Sequence, residues 1–100
     1  MKIYSWNVNG IRAVAKKGFH DFVKQAQADI LCLQETKASP DQLGFDLTEI
    51  EPYESTFASA EKKGYGGVVT YSREKAKSIQ IGLGESQFDR EGRTIISHYD

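Results

Sequence analysis

One hundred residues allow at most one small domain, and 39% hydrophobic with 27% charged residues is the composition of a folded chain, not a disordered one. A formal net charge of −1 excludes a module that grips polyanions by bulk charge, so nucleic-acid contact needs a local basic patch. The lone Cys32 excludes an internal disulfide framework, Met1 to Trp6 lacks a signal-peptide core, and no apolar run approaches the roughly 18 residues of a membrane span.

The expected location is therefore the cytoplasm, or the nucleus in a eukaryote, with no membrane partner. Ile3-Tyr4-Ser5-Trp6-Asn7-Val8 alternates as a strand does. From Lys17 to Ala28, Phe19, Phe22, Val23 and Ala26 recur at helical spacing. Ile30-Leu31-Cys32-Leu33 is a short continuous apolar run, expected to be a strand buried on both faces. Strand, helix and strand together form a βαβ pattern. Ser39-Pro40-Asp41-Gln42 reads as a helix start with a capping box, and that short helix ends before Glu51-Pro52. Short strands are then expected at Tyr53–Ser59, Gly67–Ser72, Lys77–Ile81 and Arg93–Tyr99, separated by glycine-containing turns.

These elements predict an α/β (α+β) fold, a mixed sheet with two helices on one face. Apolar residues fall on both faces of the strands, Ile3 opposite Tyr4 and Trp6, and Val68 opposite Val69. The second face therefore calls for another layer, expected to be a sheet, beyond the pattern that runs to Asp100. The alternative is a complete small α+β domain with a thin core.

Two polar clusters follow the first two strands: Asn7-Val8-Asn9-Gly10 and Gln34-Glu35-Thr36-Lys37. The carboxyl ends of parallel neighbours are where α/β sheets bind ligands. Glu35 suits Mg²⁺, which is commonly held by one or two carboxylates, waters and a substrate phosphate, with Asn7 as a neutral ligand or orienting group. The competing reading makes Glu35 an exposed strand-end residue and Asn7 a turn former. Lys37 can reach a phosphate beside the metal, or can be a solvated surface lysine. Arg12, Lys16 and Lys17 lead into a helix, either as an anion site or as surface charge. Lys62-Lys63-Gly64-Tyr65-Gly66-Gly67 joins phosphate attraction to close backbone approach and an aromatic face, although a hairpin turn with an aromatic lid has the same composition. Asp89-Arg90-Glu91-Gly92-Arg93 reads as an internal ion-pair turn, His20 as a polar helix-face residue, and His98 with Asp100 as structural.

Taken together, Ser5-Trp6-Asn7-Val8-Asn9-Gly10-Ile11-Arg12-Ala13, Leu31-Cys32-Leu33-Gln34-Glu35-Thr36-Lys37, Lys63-Gly64-Tyr65-Gly66-Gly67-Val68 and Glu91-Gly92-Arg93 resemble the exonuclease III-type abasic-site endonucleases. These belong to the endonuclease/exonuclease/phosphatase superfamily, and the resemblance spans essentially the whole chain. It implies a four-layered αββα sandwich, with residues 1–100 as the N-terminal half of the domain. It also implies Asn7 and Glu35 at a Mg²⁺ site (Mn²⁺ in its place), and DNA contacts from Arg12, Ala13, Lys17, Lys37, Gly64, Tyr65 and Gly66. Asn9 stands where some relatives carry Asp, which sets its ligand role apart.

The implied function is DNA base-excision repair: hydrolysis of the phosphodiester 5′ to an abasic site in duplex DNA, with 3′→5′ exonuclease and 3′-phosphatase action, by a monomeric parent enzyme. Members of that group are longer, and their later Asp-x-Asn motif, catalytic tyrosine and terminal Asp-His pair have no counterpart here. The 100-residue chain alone is accordingly expected to be inactive. Rival readings are another superfamily phosphodiesterase, acting on RNA tails or on phosphoinositide or sphingolipid headgroups, and a non-catalytic DNA-binding or scaffold protein.

Overall fold

The computed structural model describes residues 1–100. Strand β1 (Ile3–Asn7) is followed by two helices, α1 (Ile11–Ala15) and α2 (Phe19–Ala26), and returns as β2 (Ile30–Gln34), parallel to β1. This is the expected βαβ unit, but the helical stretch differs from its single expected span. Gly18, at φ 90°, separates α1 from α2, and Gln27 closes α2 in the left-handed region at φ 52°. A glycine takes that conformation without steric cost, so the chain turns there and brings Phe19 inward. The capping box at Ser39 forms as expected, with Gln42 Oε1 accepting from the Ser39 N–H at 3.0 Å. It opens only a 3-10 turn at Pro40–Gln42, because Leu43 is extended; a one-turn helix, α3 (Phe45–Thr48), follows Gly44.

Strands β3 (Glu54–Ala58) and β4 (Val68–Ser72) complete a four-stranded mixed sheet in the order β1-β2-β4-β3, with both β4 pairings antiparallel. Its inner face carries Tyr4, Trp6, Leu31, Leu33, Val69 and Tyr71, and α2 covers it. Phe22 stands edge-on to Tyr4 and Trp6 with centroids at 5.8 and 5.2 Å, an arrangement aromatic rings favour. Phe19 and Tyr71, 1% and 0% exposed, meet at the centre of this layer.

The expected mixed sheet is this four-stranded one, and the remaining strands do not extend it. β5 (Ser78–Ile81) and β6 (Ile95–His98) pair with each other as a separate antiparallel ribbon, joined through the one-turn helix α4 (Ser86–Asp89). β6 lies over β3 and β4 on the second face, where Tyr99 Oη donates to Ser72 Oγ at 2.9 Å. A second sheet layer thus begins within these residues. Toward β1 that face is open, with Ile3 61% exposed. Cys32 also lies on it; burial pushes its thiol pKa up, and a hydrogen bond with Thr70 lowers it less. Such a thiol is a poor nucleophile. No helix is long and apolar enough to cross a membrane.

Tyr71 gives a pH-dependent test of this core. Its hydroxyl donates to the Leu47 carbonyl at 2.6 Å, tying the sheet to α3. Burial, and then the Asp46 carboxylate, hold its pKa far above the ordinary value of 10.0. An unfolded tyrosine loses its proton near pH 10 while the folded one keeps it, so the unfolded state binds fewer protons and stability falls as pH rises above about 10. Urea midpoints measured from pH 8 to 11 are expected to drop above pH 10. The drop should be smaller in Tyr71→Phe, which at neutral pH costs about 1–3 kcal/mol for the stranded Leu47 carbonyl. An identical alkaline slope in both proteins would contradict this.

Candidate active site and nucleic-acid interface

Because β1 and β2 run parallel and in register, with Asn7 opposite Gln34, their carboxyl ends deliver Asn7 and Glu35 to one place. Asn7 Nδ2–H donates to Glu35 Oε2 at 2.5 Å. Asn7 Oδ1 accepts from the Asn9 N–H at 3.0 Å, a local turn that short polar side chains favour and that aims the carboxamide across at β2. Asn9 sits at φ 48° and Gly10 at φ 104°, so the chain reverses sharply into α1. Lys37 Nζ bonds to Asn9 Oδ1 and stands 4.0 Å from Glu35 Oε1. Arg12 on α1 donates from Nη2 to the Lys37 carbonyl at 3.4 Å. Asn7, Asn9, Arg12, Glu35 and Lys37 therefore converge.

Beside them opens a cleft of about 600 Å³ lined by Glu35, Lys37, Lys62, Tyr65, Arg90 and Arg93, with Glu61 and Glu91 among its other residues. Lys62 Nζ lies 4.3 Å above the Tyr65 ring, a cation–π contact that orders the loop tip. Lys63 turns away to Asp41 at 3.3 Å. A hydrogen bond from Ser39 and then Lys63 hold the Asp41 carboxyl below its usual range, so this loop is tied back to the Ser39 turn. Gly64 borders a smaller groove next to the cleft. Ala13 and Lys17 are exposed, on and just after α1, and neither lines the cleft.

The charged turn forms as expected and also borders the cleft. Glu91 and Arg93 do pair, at 3.4 Å, as an ion-pair turn should. Yet Arg90 and Arg93 also face the cleft that holds Glu35 and Lys37, and residue-by-residue reading assigned them no such place. The usable signal is Gly92, buried at φ 63° between two charged neighbours. A side chain there would strike the backbone of Ala58 to Ala60, so this turn is seated tightly against the chain leading to the Tyr65 loop. His20, read as a helix-face residue without a role, has Nε2 2.7 Å from the Asp46 carbonyl, and Asp100 reaches Lys77 at 3.7 Å, both away from the cleft.

The side-chain groups gathered around Lys37 are the Glu35 carboxylate and the carboxamides of Asn9 and Asn7, oxygen ligands at most, with no group of three His, Cys, Asp or Glu side chains anywhere. A hard divalent cation that keeps most of its waters and borrows phosphate oxygens fits such a set; a four-ligand zinc site does not. The sequence pattern of the Endonuclease/Exonuclease/phosphatase family matches residues 4–100.

The chain belongs to that family.

Within the family the chain is 41% identical over 100 residues to a DNA-(apurinic or apyrimidinic site) endonuclease of Dictyostelium discoideum, covering all of this chain and 27% of that protein. It is 42% identical over 101 residues to an exodeoxyribonuclease of Bacillus subtilis (strain 168), covering all of this chain and 39% of that one. An AP endonuclease from Archaeoglobus fulgidus superposes with a TM-score of 0.80 at 30% identity, over 97% of this chain and 36% of its own. These are the nucleases of the exonuclease III-type branch that the four motifs resemble, and the α/β fold agrees with theirs. The chain spans between about a quarter and two-fifths of the length of these relatives.

Proposed function

We propose that this family member acts in DNA base-excision repair, hydrolysing the phosphodiester 5′ to an abasic site in duplex DNA and leaving a 3′-hydroxyl. The observation that carries this reading is one cleft lined by Glu35, Lys37, Tyr65, Arg90 and Arg93, with Asn7 hydrogen-bonded to Glu35 at its edge. The names of the apurinic-site endonuclease and exodeoxyribonuclease relatives support it, and 3′→5′ exonuclease action is part of the same proposal.

In this reading Glu35 and Asn7 hold Mg²⁺, or Mn²⁺ in its place. When bound, the ion neutralises phosphate charge during in-line attack by water. Lys37 and Arg12 steady the phosphate. Tyr65, flanked by Gly64 and Gly66, lies along the DNA backbone with Lys62, Arg90 and Arg93 supplying charge. Ala13 and Lys17 extend the contact past α1. Backbone contacts of this kind fix register without reading bases, which suits recognition of an extruded sugar. The domain acts as a monomer, in the cytoplasm or the nucleus, where its DNA is.

The Glu35–Asn7 pair holds one carboxylate and no histidine lines the cleft, so in this reading activity requires further groups from a longer chain. The purified chain is expected not to nick an abasic duplex with Mg²⁺, while a full-length protein containing it nicks 5′ to the site. Mg²⁺-dependent nicking by the chain alone would overturn the first expectation. A full-length protein that spares abasic DNA but cleaves RNA tails or lipid headgroups would overturn the substrate assignment.

A further inference from the structure

We infer that Thr36 and Gly67 are positioning residues for Glu35, forming a backbone clamp behind the cleft; this rests on the proposed metal role of Glu35. Glu35 and Lys37 both occupy the left-handed region, at φ 52° and 56°. Side chains rarely stay there unless neighbours over-determine the backbone. Thr36, between them, is 1% exposed and contributes no charge or ligand to the cleft.

The over-determination comes from both sides. On one, the Gly10 N–H donates to the Glu35 carbonyl at 2.7 Å and the Ile11 N–H to the Thr36 carbonyl at 2.9 Å. On the other, the Thr36 N–H donates to the Gly67 carbonyl at 3.0 Å and the Lys37 N–H to the Gly66 carbonyl at 2.8 Å. The row continues outward, with the Gly67 N–H donating to the Gly92 carbonyl at 3.0 Å. One line of backbone hydrogen bonds thus links the Asn7 turn, the Glu35 segment, the Tyr65 loop and the Arg93 turn. Gly67 sits at φ 89°, and a Cβ on it would run into Thr36 Oγ1, so only glycine lets the row close. The clamp aims the Glu35 carboxylate at Asn7, and a shift of Gly67 is passed through Thr36 to that carboxylate.

The test reads the Asn7 side-chain amide by NMR in the metal-free chain, then its response to Mg²⁺. Gly67→Ala is expected to move the Asn7 amide signals toward their position in Glu35→Ala, and to weaken Mg²⁺ binding about 10- to 100-fold, as loss of a supporting contact typically does. Gly84→Ala controls for backbone strain: Gly84 has φ 90° and nothing within 4 Å of an added Cβ, so both readouts stay at wild-type values. Thr36→Ala in the Gly67→Ala background removes the obstructing hydroxyl and should return the Asn7 signals part of the way. If Gly67→Ala does not fold, Thr36→Val replaces it, setting a bulkier methyl against Gly67, with a shift in the same direction expected.

Wild-type Asn7 signals in the folded clamp variant would overturn the inference. The metal reading fails separately, if Glu35→Ala leaves Mg²⁺ affinity unchanged. The clamp is still decided in that case by the metal-free signals.

Discussion

If Glu35 holds Mg²⁺ as proposed, Glu35→Gln is expected to abolish saturable Mg²⁺ binding by this chain, and a full-length protein containing it to lose about 10²- to 10⁴-fold in turnover. The substitution is chosen because it changes charge and almost nothing else. The replacement carboxamide keeps an oxygen able to accept the Asn7 Nδ2–H hydrogen bond, 2.5 Å long with glutamate in place, and the segment stays anchored through its backbone to Gly10 and Gly66. What vanishes is the one negative group of the Glu35–Asn7 pair. A divalent cation supplies several kcal/mol of charge stabilisation to phosphoryl chemistry, and each 1.36 kcal/mol is about tenfold in rate, which gives the expected range.

Lys37 sharpens this expectation. Its ammonium lies 4.0 Å from Glu35 Oε1, so in the variant the cluster keeps a cation with its nearest counter-charge removed. A second cation would then enter beside an unbalanced lysine, and affinity should fall further than loss of one ligand implies. Titration of Mg²⁺ against the Asn7 amide signals measures the binding part, and single-turnover nicking by the full-length enzyme measures the chemical part. Unaltered Mg²⁺ affinity in Glu35→Gln would remove Glu35 from the metal site, leaving the cleft as a DNA-binding surface alone.

The parts of this site that sequence disclosed are those fixed by local rules. A strand end followed by Asn-x-Asn-Gly and another followed by Gln-Glu-Thr-Lys suffices to place Asn7 and Glu35 together once the intervening helix makes the strands parallel. The covered face of β1 was equally readable, since period-2 alternation puts Tyr4 and Trp6 on one side. What stayed hidden depends on long-range pairing. Ser78-Ile79-Gln80-Ile81 announces a strand, but nothing within it tells whether it joins β3 or pairs with β6 in a separate ribbon. Likewise Arg90 and Arg93 look like partners for Asp89 and Glu91. Only the docking of Gly92 against the chain leading to the Tyr65 loop turns them toward the cleft. The left-handed backbone of Glu35 and Lys37 was invisible too, because neither residue type favours it and the hydrogen bonds around it come from distant Gly10 and Ile11 on one side and Gly66 and Gly67 on the other.

Leu33→Ala is expected to lower stability by about 2–5 kcal/mol, a large share of the roughly 5–15 kcal/mol available to a chain of this size. Leu33 is 0% exposed on β2, in register with Trp6 on one side and Val69 on the other. Its loss leaves a cavity under α2 that the aromatic residues Phe19 and Tyr71, held by contacts with their other neighbours, cannot fully close. Trp6 is the sole tryptophan and touches Phe19 and Phe22, so its fluorescence reports this layer directly. With a urea slope of about 1–3 kcal/mol per molar, the midpoint should fall by about 1 M or more. Ile3→Ala is the matched comparison, since Ile3 is 61% exposed on the opposite face and its truncation should cost within about 0.5 kcal/mol. Equal losses from the two substitutions would mean that the second face carries as much of the chain's stability as the first, and that the helix-covered layer is not its principal core.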